Sequence, residues 1–550
     1  MQQPETIQCP ICRDPVEKML FRFHIDNERQ VIDRIREHYP QWSEMDGACG
    51  RCVDYYHTEL VMQHRMLPEI GPHFPVRSLD DFIILPAGIR LNADPRFNGK
   101  GVTICFIDSG FYPHPDLVTY RNRIKKMVNI THPEEEYDPC QEKYRESAWH
   151  GTMTTVVCAG DGYLSQGLYK GIASEADLVL LKVQDDYGRI SSDSLQKALQ
   201  WVKDHHLDYG IRIVNMSVTD DEAVSYKSSR VDQLAEELIA EGIIVVAAAG
   251  NDEQGLLKPP ANGLNVISVG GLDDGNSLDG KETRLYHSTY GMTTDGLMKP
   301  ELIAPAIWIA APILPGSAEQ QESAMLHHLH SLDDEAFLNE REKINGYLSI
   351  RGIILEKENT AQARQIIRDR IGAGKYISPH YMHVDGTSFA APILCAVIAQ
   401  VLEINPALSA AQVRSILLST AKRLKNFPAE RQGFGVVQPR KAILKILNRD
   451  IMNKPETSPQ INQKKKTIGF YVQHDCASQI SLSGSFNHWE QDVLLLEPGK
   501  NGMWKIEIPM LPSGKYQYKF LVDDKAWIED VNNPYREPDG FSGFNSILIV

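Results

Sequence analysis

The chain has 550 residues, of which 42% are hydrophobic and 23% charged, and a formal net charge of −15 at neutral pH. One hydrophobic core does not extend over such a length, so about two to four domains of ordinary soluble composition are expected. The acidic balance argues against nucleic acid or an anionic membrane as main partner, since polyanion binding needs a basic face, and no run approaches the roughly 20 apolar residues of a membrane helix.

The start, Met1-Gln-Gln-Pro-Glu-Thr6, has no charged segment leading into an apolar one, so no secretory signal is expected and the cytoplasm is the expected address. Nine cysteines, an odd number, fit a reducing compartment with metal or thiol chemistry better than a disulfide framework. Four of them form two CxxC pairs, Cys9/Cys12 and Cys49/Cys52. Between the pairs, Val31, Ile32, Ile35 and Tyr39 recur at helical spacing, so residues 1–75 are expected to form a small module. Two knuckles of this kind can offer their four thiolates to tetrahedral zinc, a structural ion for a segment with little core of its own. Two redox thiol pairs are the alternative. His57 is a poor further ligand once four thiolates are present.

From 78 to 450, strand-like and helix-like runs alternate. The strand-like runs are Val102–Asp108, Asp177–Gln184, Arg212–Thr219 and Ile243–Asn251, and helix-like runs include Ser192–His206 and Asp232–Gly242. This alternation predicts an α/β domain, a parallel sheet with helices on both faces. Residues 451–466 are polar, with Pro455, Pro459 and the run Lys464-Lys-Lys466, and read as a linker. Periodicity then switches to two, with turns at Pro498–Gly502 and Pro512–Gly514, so 467–550 is expected as a small β-sandwich.

The middle region carries the chemistry. Serine is a weak nucleophile at neutral pH; it needs a base, the base needs an orienting carboxylate, and the developing oxyanion needs donors. Candidates for all four roles stand at strand ends or helix starts: Asp108 in Ile107-Asp-Ser-Gly110, His150 in His150-Gly-Thr-Met-Thr-Thr155, Asn251 in Ala248-Ala-Gly-Asn251, and Ser388 in Asp385-Gly-Thr-Ser-Phe-Ala-Ala-Pro392. Singly each has a plain reading as a turn or a helix start. Jointly, and in this order, they point to an active site.

The order Asp, His, Ser is that of subtilisin, and at these residues the chain resembles the subtilisin-like (subtilase) serine peptidases. Lys100-Gly-Val, Lys299-Pro-Glu-Leu-Ile-Ala-Pro305 and Gly433-Phe-Gly435 extend the resemblance over roughly 300 residues. It implies Ser388 as nucleophile, His150 as general acid/base and Asp108 as its orienter, with the Asn251 amide and the Ser388 N–H as oxyanion donors. Calcium sites, where present, are not readable from the sequence.

Two departures stand out. The substrate-binding edge, Ser-Leu-Gly-Gly-like in most subtilases, is Ser217-Val218-Thr219-Asp220 here. Those side chains either narrow the specificity pocket or place an acid near it, favouring a small or basic P1 residue, or else they face solvent. Some eighty residues separate Pro305 from Gly386, so a helical insertion is expected over about 317–380, as a lid or partner surface. A metal site from its His327, His328 and His330 is not favoured.

The N-terminal segment resembles zinc-ribbon modules, though its helical insert is long for a plain ribbon. The C-terminal region resembles the glycogen-binding module of the AMP-activated protein kinase β subunit and the isoamylase N-terminal domain. The resemblance rests on Ser483-Gly-Ser-Phe-Asn-His-Trp489, Gly514-Lys-Tyr-Gln-Tyr-Lys-Phe520, Trp527 and Gly543–Val550. It implies an immunoglobulin-like sandwich in which Trp489 and Trp527 stack on glucose rings while Lys519 and Asn545 bond hydroxyls. A sandwich that only packs is the alternative. The expected whole is a cytoplasmic serine endopeptidase acting on protein or peptide and localised to α-glucan. Its rivals are a non-catalytic scaffold and a self-processing regulator with a single partner.

Overall fold

The computed structural model describes residues 7–11, 15–16, 25–49, 52–53, 56, 84–141, 147–278, 283–340, 360–447, 458–474, 476–499, 502–541 and 543–550. The N-terminal segment contains a short hairpin, Ile7–Gln8 with Pro15–Val16, and a helix Ile25–His38 (α1). The apolar stripe of α1 (Val31, Ile32, Ile35) joins Cys9, Cys49, Cys52, Trp42 and Tyr56 in one buried cluster, which also takes in Phe97, Ile443 and Leu447 of the next domain. A small module with so little core completes it against a neighbour.

The α/β domain is built on strands Thr103–Asp108 (β1), Ile124–Asn129 (β2), Asp177–Lys182 (β3), Ile211–Met216 (β4), Ile244–Ala248 (β5), Ile267–Asp273 (β6) and Leu302–Pro305 (β7). They pair in parallel in the order β7-β6-β5-β4-β1-β3-β2. Every residue of β1 is buried, as a strand covered on both faces must be. Helices Ala148–Ala159 (α2) and Thr387–Ile404 pack on one face; Ser192–Tyr209 (α3) and Arg230–Ala240 (α4) pack on the other. The helix 387–404 is long and apolar enough to cross a membrane by composition, yet 83% of it is buried inside the domain, which is what covering a two-sided sheet demands. The strand order reverses around β1, and in open α/β sheets that reversal opens a crevice at the carboxyl ends of the strands.

The expected insertion forms as two helices, Ala318–Ser331 (α5) and Thr360–Ala373 (α6), with a further helical stretch at 334–340, around Leu326, Leu329, Phe337, Ala363 and Ile367; its stretch 341–359 lies outside the described residues. The buried Glu322 clamps the pair, accepting from Arg370 Nε (2.7 Å) and from the Tyr376 hydroxyl (2.9 Å). At the base of the insertion the strands Ile309–Pro312 (β8), Tyr376–Ser378 (β9) and Tyr381–Val384 (β10) pair antiparallel in the order β8-β10-β9. Strand β10 runs straight into Asp385-Gly-Thr-Ser388, where helix 387–404 (α7) begins, and Lys375 Nζ bonds Asp385 Oδ1 at 3.0 Å. A last helix, Pro439–Leu447 (α8), adds Ile443 and Leu447 to the contacts with the N-terminal module.

The C-terminal domain starts earlier than expected. Gln460–Asn462 (β11), inside the supposed linker 451–466, pairs antiparallel with Thr467–Gln473 (β12); residues 451–457 lie outside the described set. Strand β12 pairs with Met503–Pro509 (β14) in one sheet. The other sheet joins Ile480–Gly484 (β13), Lys515–Val522 (β15), Phe544–Ile549 (β18) and Arg536–Pro538 (β17), with Ala526–Ile528 (β16) on β15. Ile468, Phe470 and Trp504 meet Leu482, Tyr518, Phe520 and Leu548 between the sheets, the layered core of a β-sandwich. The sandwich is docked on the α/β domain through Arg536, 3% exposed, which donates to the Met298 and Pro300 carbonyls (3.1 Å each) and stacks between Phe434 and Phe544. Arg423 pairs with Glu529 beside it.

Candidate functional site

Four segments far apart in sequence converge at the crevice. Asp108 ends β1 and is fully buried. Its Oδ1 accepts the Ser109 N–H (2.7 Å) and lies 2.7 Å from His150 Nδ1, while Thr154 Oγ1 donates to its Oδ2 (3.3 Å). Thr154 stands one helical turn after His150 on α2, so one helix face presents both to the carboxylate. The spacing was visible in His150-Gly-Thr-Met-Thr-Thr155, but the contact needs the approach of helix and strand. That approach requires Gly151: a Cβ there would lie 2.2 Å from the Gly110 carbonyl oxygen and 3.0 Å from Asp108 Cβ. Burial pulls the His150 pKa down, but the charge of Asp108 and its hydrogen bond outweigh that, and the net shift is upward from 6.5. The imidazole stays 20% exposed, open to the crevice.

Ser388 lies in the first turn of α7, with Phe389 packed 6.1 Å from the His150 ring. Its Oγ donates to the Ser217 carbonyl oxygen (3.4 Å), and Ser217 Oγ donates back to the Ser388 carbonyl oxygen (2.8 Å). Asn251, at the end of β5, accepts the Thr387 N–H (2.8 Å) and hydroxyl (2.9 Å) on Oδ1. That fixes which end of the amide faces the loop and leaves Nδ2 as a donor beside the Ser388 N–H. Gly386, at φ +136°, has a conformation side chains avoid, and a Cβ there would stand 3.4 Å from that Nδ2.

Of the expected substrate edge, Ser217 is buried by its bond to Ser388, while Val218 and Thr219 are partly exposed. Asp220 accepts from Ser192 Oγ (2.7 Å) at the start of α3, and its N–H donates to the Pro259 carbonyl oxygen (2.8 Å). Its carboxylate is thus anchored at a helix start.

Cys9, Cys49 and Cys52 are brought together, all buried, with sulfurs within 4.8 Å of one another. Thiolates around tetrahedral zinc lie about 3.8 Å apart, given Zn–S of about 2.3 Å, so the three fit a metal with slight contraction. The Cys49 N–H donates to Cys9 Sγ (3.3 Å) and Arg96 to Cys52 Sγ (3.5 Å). Cys12 lies outside the described residues, as does His57. Among the described residues, no other group of three or more His, Cys, Asp or Glu side chains meets within that reach. His328 instead bonds Glu340 (2.9 Å).

In the sandwich, β15 puts Tyr518 and Phe520 into the core and Lys519 on the opposite face. Asn545 and Trp527 share that outer face, by the register of β18 and β16. Trp489 reaches Trp527 edge to face, with centroids 6.1 Å apart at 72°. Lys519 Nζ bonds Asp539 Oδ2 (2.5 Å), and Asn545 donates to Gln517 Oε1 (3.1 Å). Phe541, 90% exposed on the loop after Asp539, was not singled out in the sequence; it lies among turn residues with no periodicity to mark it.

A buried Asp–His pair, a serine at a helix start and a fixed amide at the carboxyl ends of a parallel sheet define a subtilisin-like α/β protein. The profile of the subtilase family matches residues 99–435, and the chain belongs to that family. That of the glycogen recognition site of AMP-activated protein kinase matches residues 471–549. Serine protease AprX of Bacillus subtilis (strain 168) is 28% identical over 355 residues, 63% of this chain and 66% of that protein. Alkaline elastase YaB of Bacillus sp. (strain YaB) is 25% identical over 331 residues, 60% of this chain and 62% of that protein. The chain thus spans just under two thirds of the length of these relatives. Among solved structures, sphericase (19% identity, TM-score 0.43) is matched over 67% of this chain and 96% of its own. Fervidolysin from Fervidobacterium pennivorans (18%, 0.43) is matched over 77% and 53%.

Proposed function

We propose that the protein is a serine endopeptidase. The observation that carries this reading is the 2.7 Å bond from buried Asp108 to His150 Nδ1, which leaves Nε2 of the imidazole to serve as base. Ser388 Oγ attacks the peptide carbonyl and a C–O bond forms as its proton passes to His150. The Ser388 N–H and Asn251 Nδ2 hold the oxyanion. As the intermediate collapses the C–N bond breaks, and His150 delivers the proton to the leaving amine. Water, activated by the same base, then frees the enzyme. Asp108 keeps the tautomer and stabilises the imidazolium. The substrate main chain runs along Ser217–Asp220, where Val218 and Thr219 offer a narrow edge that suits small P1 residues.

The C-terminal sandwich brings this activity to α-glucan or to proteins on it, a reading supported by the paired tryptophans and the family match. The cysteine site holds structural zinc, supported by three clustered sulfurs with N–H donors. The reducing cytoplasm suits such thiolates and the buried thiols of Cys105, Cys158 and Cys395. The direct test is labelling with an organophosphonate probe and turnover of a peptide library, with wild type against Ser388→Ala. Label on Ser388 with cleavage abolished in the variant supports the reading; no label and no cleavage makes the chain a scaffold. Cleavage confined to the chain itself makes it a self-processing regulator.

A further inference from the structure

Helix α2 buries Ala148 and every residue from Gly151 to Ala159, yet Trp149 in its first turn is 50% exposed. Its ring meets the His150 ring edge to face, with centroids 5.3 Å apart at 84°. Phe389 lies at 6.1 Å from the same imidazole, but it is buried and belongs to the core. A large aromatic surface left in water beside the catalytic base forfeits burial that the helix gives its other apolar residues. Exposed tryptophans at recognition surfaces are where binding energy concentrates.

We propose that Trp149 is a specificity-determining residue whose exposed indole takes an apolar side chain of the substrate residue flanking the scissile bond. This rests on the peptidase reading above. To pass a proton to the leaving amine, His150 must come within about 3 Å of the scissile nitrogen. An indole in contact with that imidazole then lies within van der Waals reach of one of two side chains. These are the residue supplying the nitrogen (P1′) and the residue before the acyl one (P2). On the reading above the P1 side chain is taken by the edge Ser217–Asp220 and not by the indole. The fused ring presents a flat apolar surface, so leucine and phenylalanine are favoured there over glycine. A contact of this kind discriminates about 10- to 200-fold.

The test uses two peptide series, one varied at P1′ and one at P2 through Gly, Ala, Leu and Phe, with wild type, Trp149→Ala and Trp149→Phe. In one series wild type should prefer Leu or Phe to Gly by about tenfold or more in kcat/KM. Trp149→Ala should flatten that series alone and Trp149→Phe restore most of the preference; the responding series identifies the subsite. A uniform fall across both series with a displaced acid limb of the pH profile would mean that Trp149 only positions His150, and overturns the proposal. The same peptides titrated calorimetrically into Ser388→Ala and Ser388→Ala/Trp149→Ala separate this proposal from the peptidase reading. Loss of the Leu-over-Gly affinity ratio in the double variant supports the contact whether or not wild type turns over; an unchanged ratio rejects it.

Discussion

Ser217 and Ser388 are joined twice: the Ser217 hydroxyl donates to the Ser388 carbonyl oxygen at 2.8 Å, and the Ser388 hydroxyl donates to the Ser217 carbonyl oxygen at 3.4 Å. The longer bond is the one catalysis must break, and it is long enough to be exchanged for one to His150 at little cost. The shorter one fixes the turn that carries the nucleophile. Asn215 Nδ2 donates to Ser217 Oγ (3.1 Å), so the seat of Ser388 is built from the end of β4 and not from its own helix alone.

The donor opposite this seat gives the first prediction. Asn251→Ala should lower kcat by about 10²–10³ with KM little changed, because the amide bonds the oxyanion and not the ground-state carbonyl; the magnitude is carried over from subtilisin, where one such donor has that effect. Steady-state kinetics on one peptide checks it. A change mainly in KM would move Asn251 out of the oxyanion hole.

The pH dependence follows from His150, whose pKa lies above 6.5 because the Asp108 charge and hydrogen bond outweigh burial. Only the neutral imidazole accepts the serine proton, so kcat/KM should fall as pH drops through a midpoint above 6.5. Asp108→Asn removes the raising influence and leaves burial, so the limb should move downward while the plateau falls by about 10⁴ through loss of the correct tautomer. A wild-type midpoint below 6.5 contradicts the assignment.

That Asp108, His150, Asn251 and Ser388 come together at one crevice was legible because each stands in a short motif at a strand end or helix start, and β1, β3, β4 and β5 because strands buried on both faces are mainly apolar. Other features had no local signal. Strand β11 is exposed at all three residues, so its composition is that of a linker and only its pairing with β12 reveals it. The strands β8, β9 and β10 are three or four residues long, too short for a period to register. Arg536 and Arg423 look like surface charges until Phe434 and Phe544 close on them. Asp220 shows the reverse: its type suggested a pocket acid, and its bond to Ser192 lies outside any motif.

The cysteine cluster predicts about one zinc per chain purified under reducing conditions. Cys9→Ser and Cys49→Ser should each lose the metal. They should also lower the Tm, because the cluster shares its core with Phe97 and with Ile443 and Leu447 on α8. Cys12→Ser should do the same if it completes the set of four. Metal analysis by mass spectrometry together with a thermal scan checks both; metal-free protein of unchanged Tm leaves redox thiol pairs.

The last prediction concerns α-glucan. An α-1,4 chain curls, so two rings at an angle can each meet a glucose face, and Trp489 and Trp527 lie at 72° with centroids 6.1 Å apart; a flat β-glucan cannot meet both. Each stacked ring contributes about 1 kcal/mol beyond area burial, and each hydrogen bond from Asn545 or Lys519 about 0.5–1.5 kcal/mol. Affinity should therefore be modest, on the order of micromolar to millimolar. Lys519 is a poor probe, because its removal also strands Asp539, which it bonds at 2.5 Å. Trp527, 41% exposed, is the clean one. The sandwich is clamped to the α/β domain by Arg536, so the full chain is the proper sample, carrying Ser388→Ala to prevent self-digestion. It should co-sediment with glycogen and not with cellulose. Trp527→Ala should remove most of that binding, and Phe541→Ser should weaken it if the exposed loop ring adds a contact. In the Ser388-intact chain, Trp527→Ala should leave cleavage of a small peptide unchanged. Equal sedimentation of wild type and Trp527→Ala would make this face a packing or protein-docking surface.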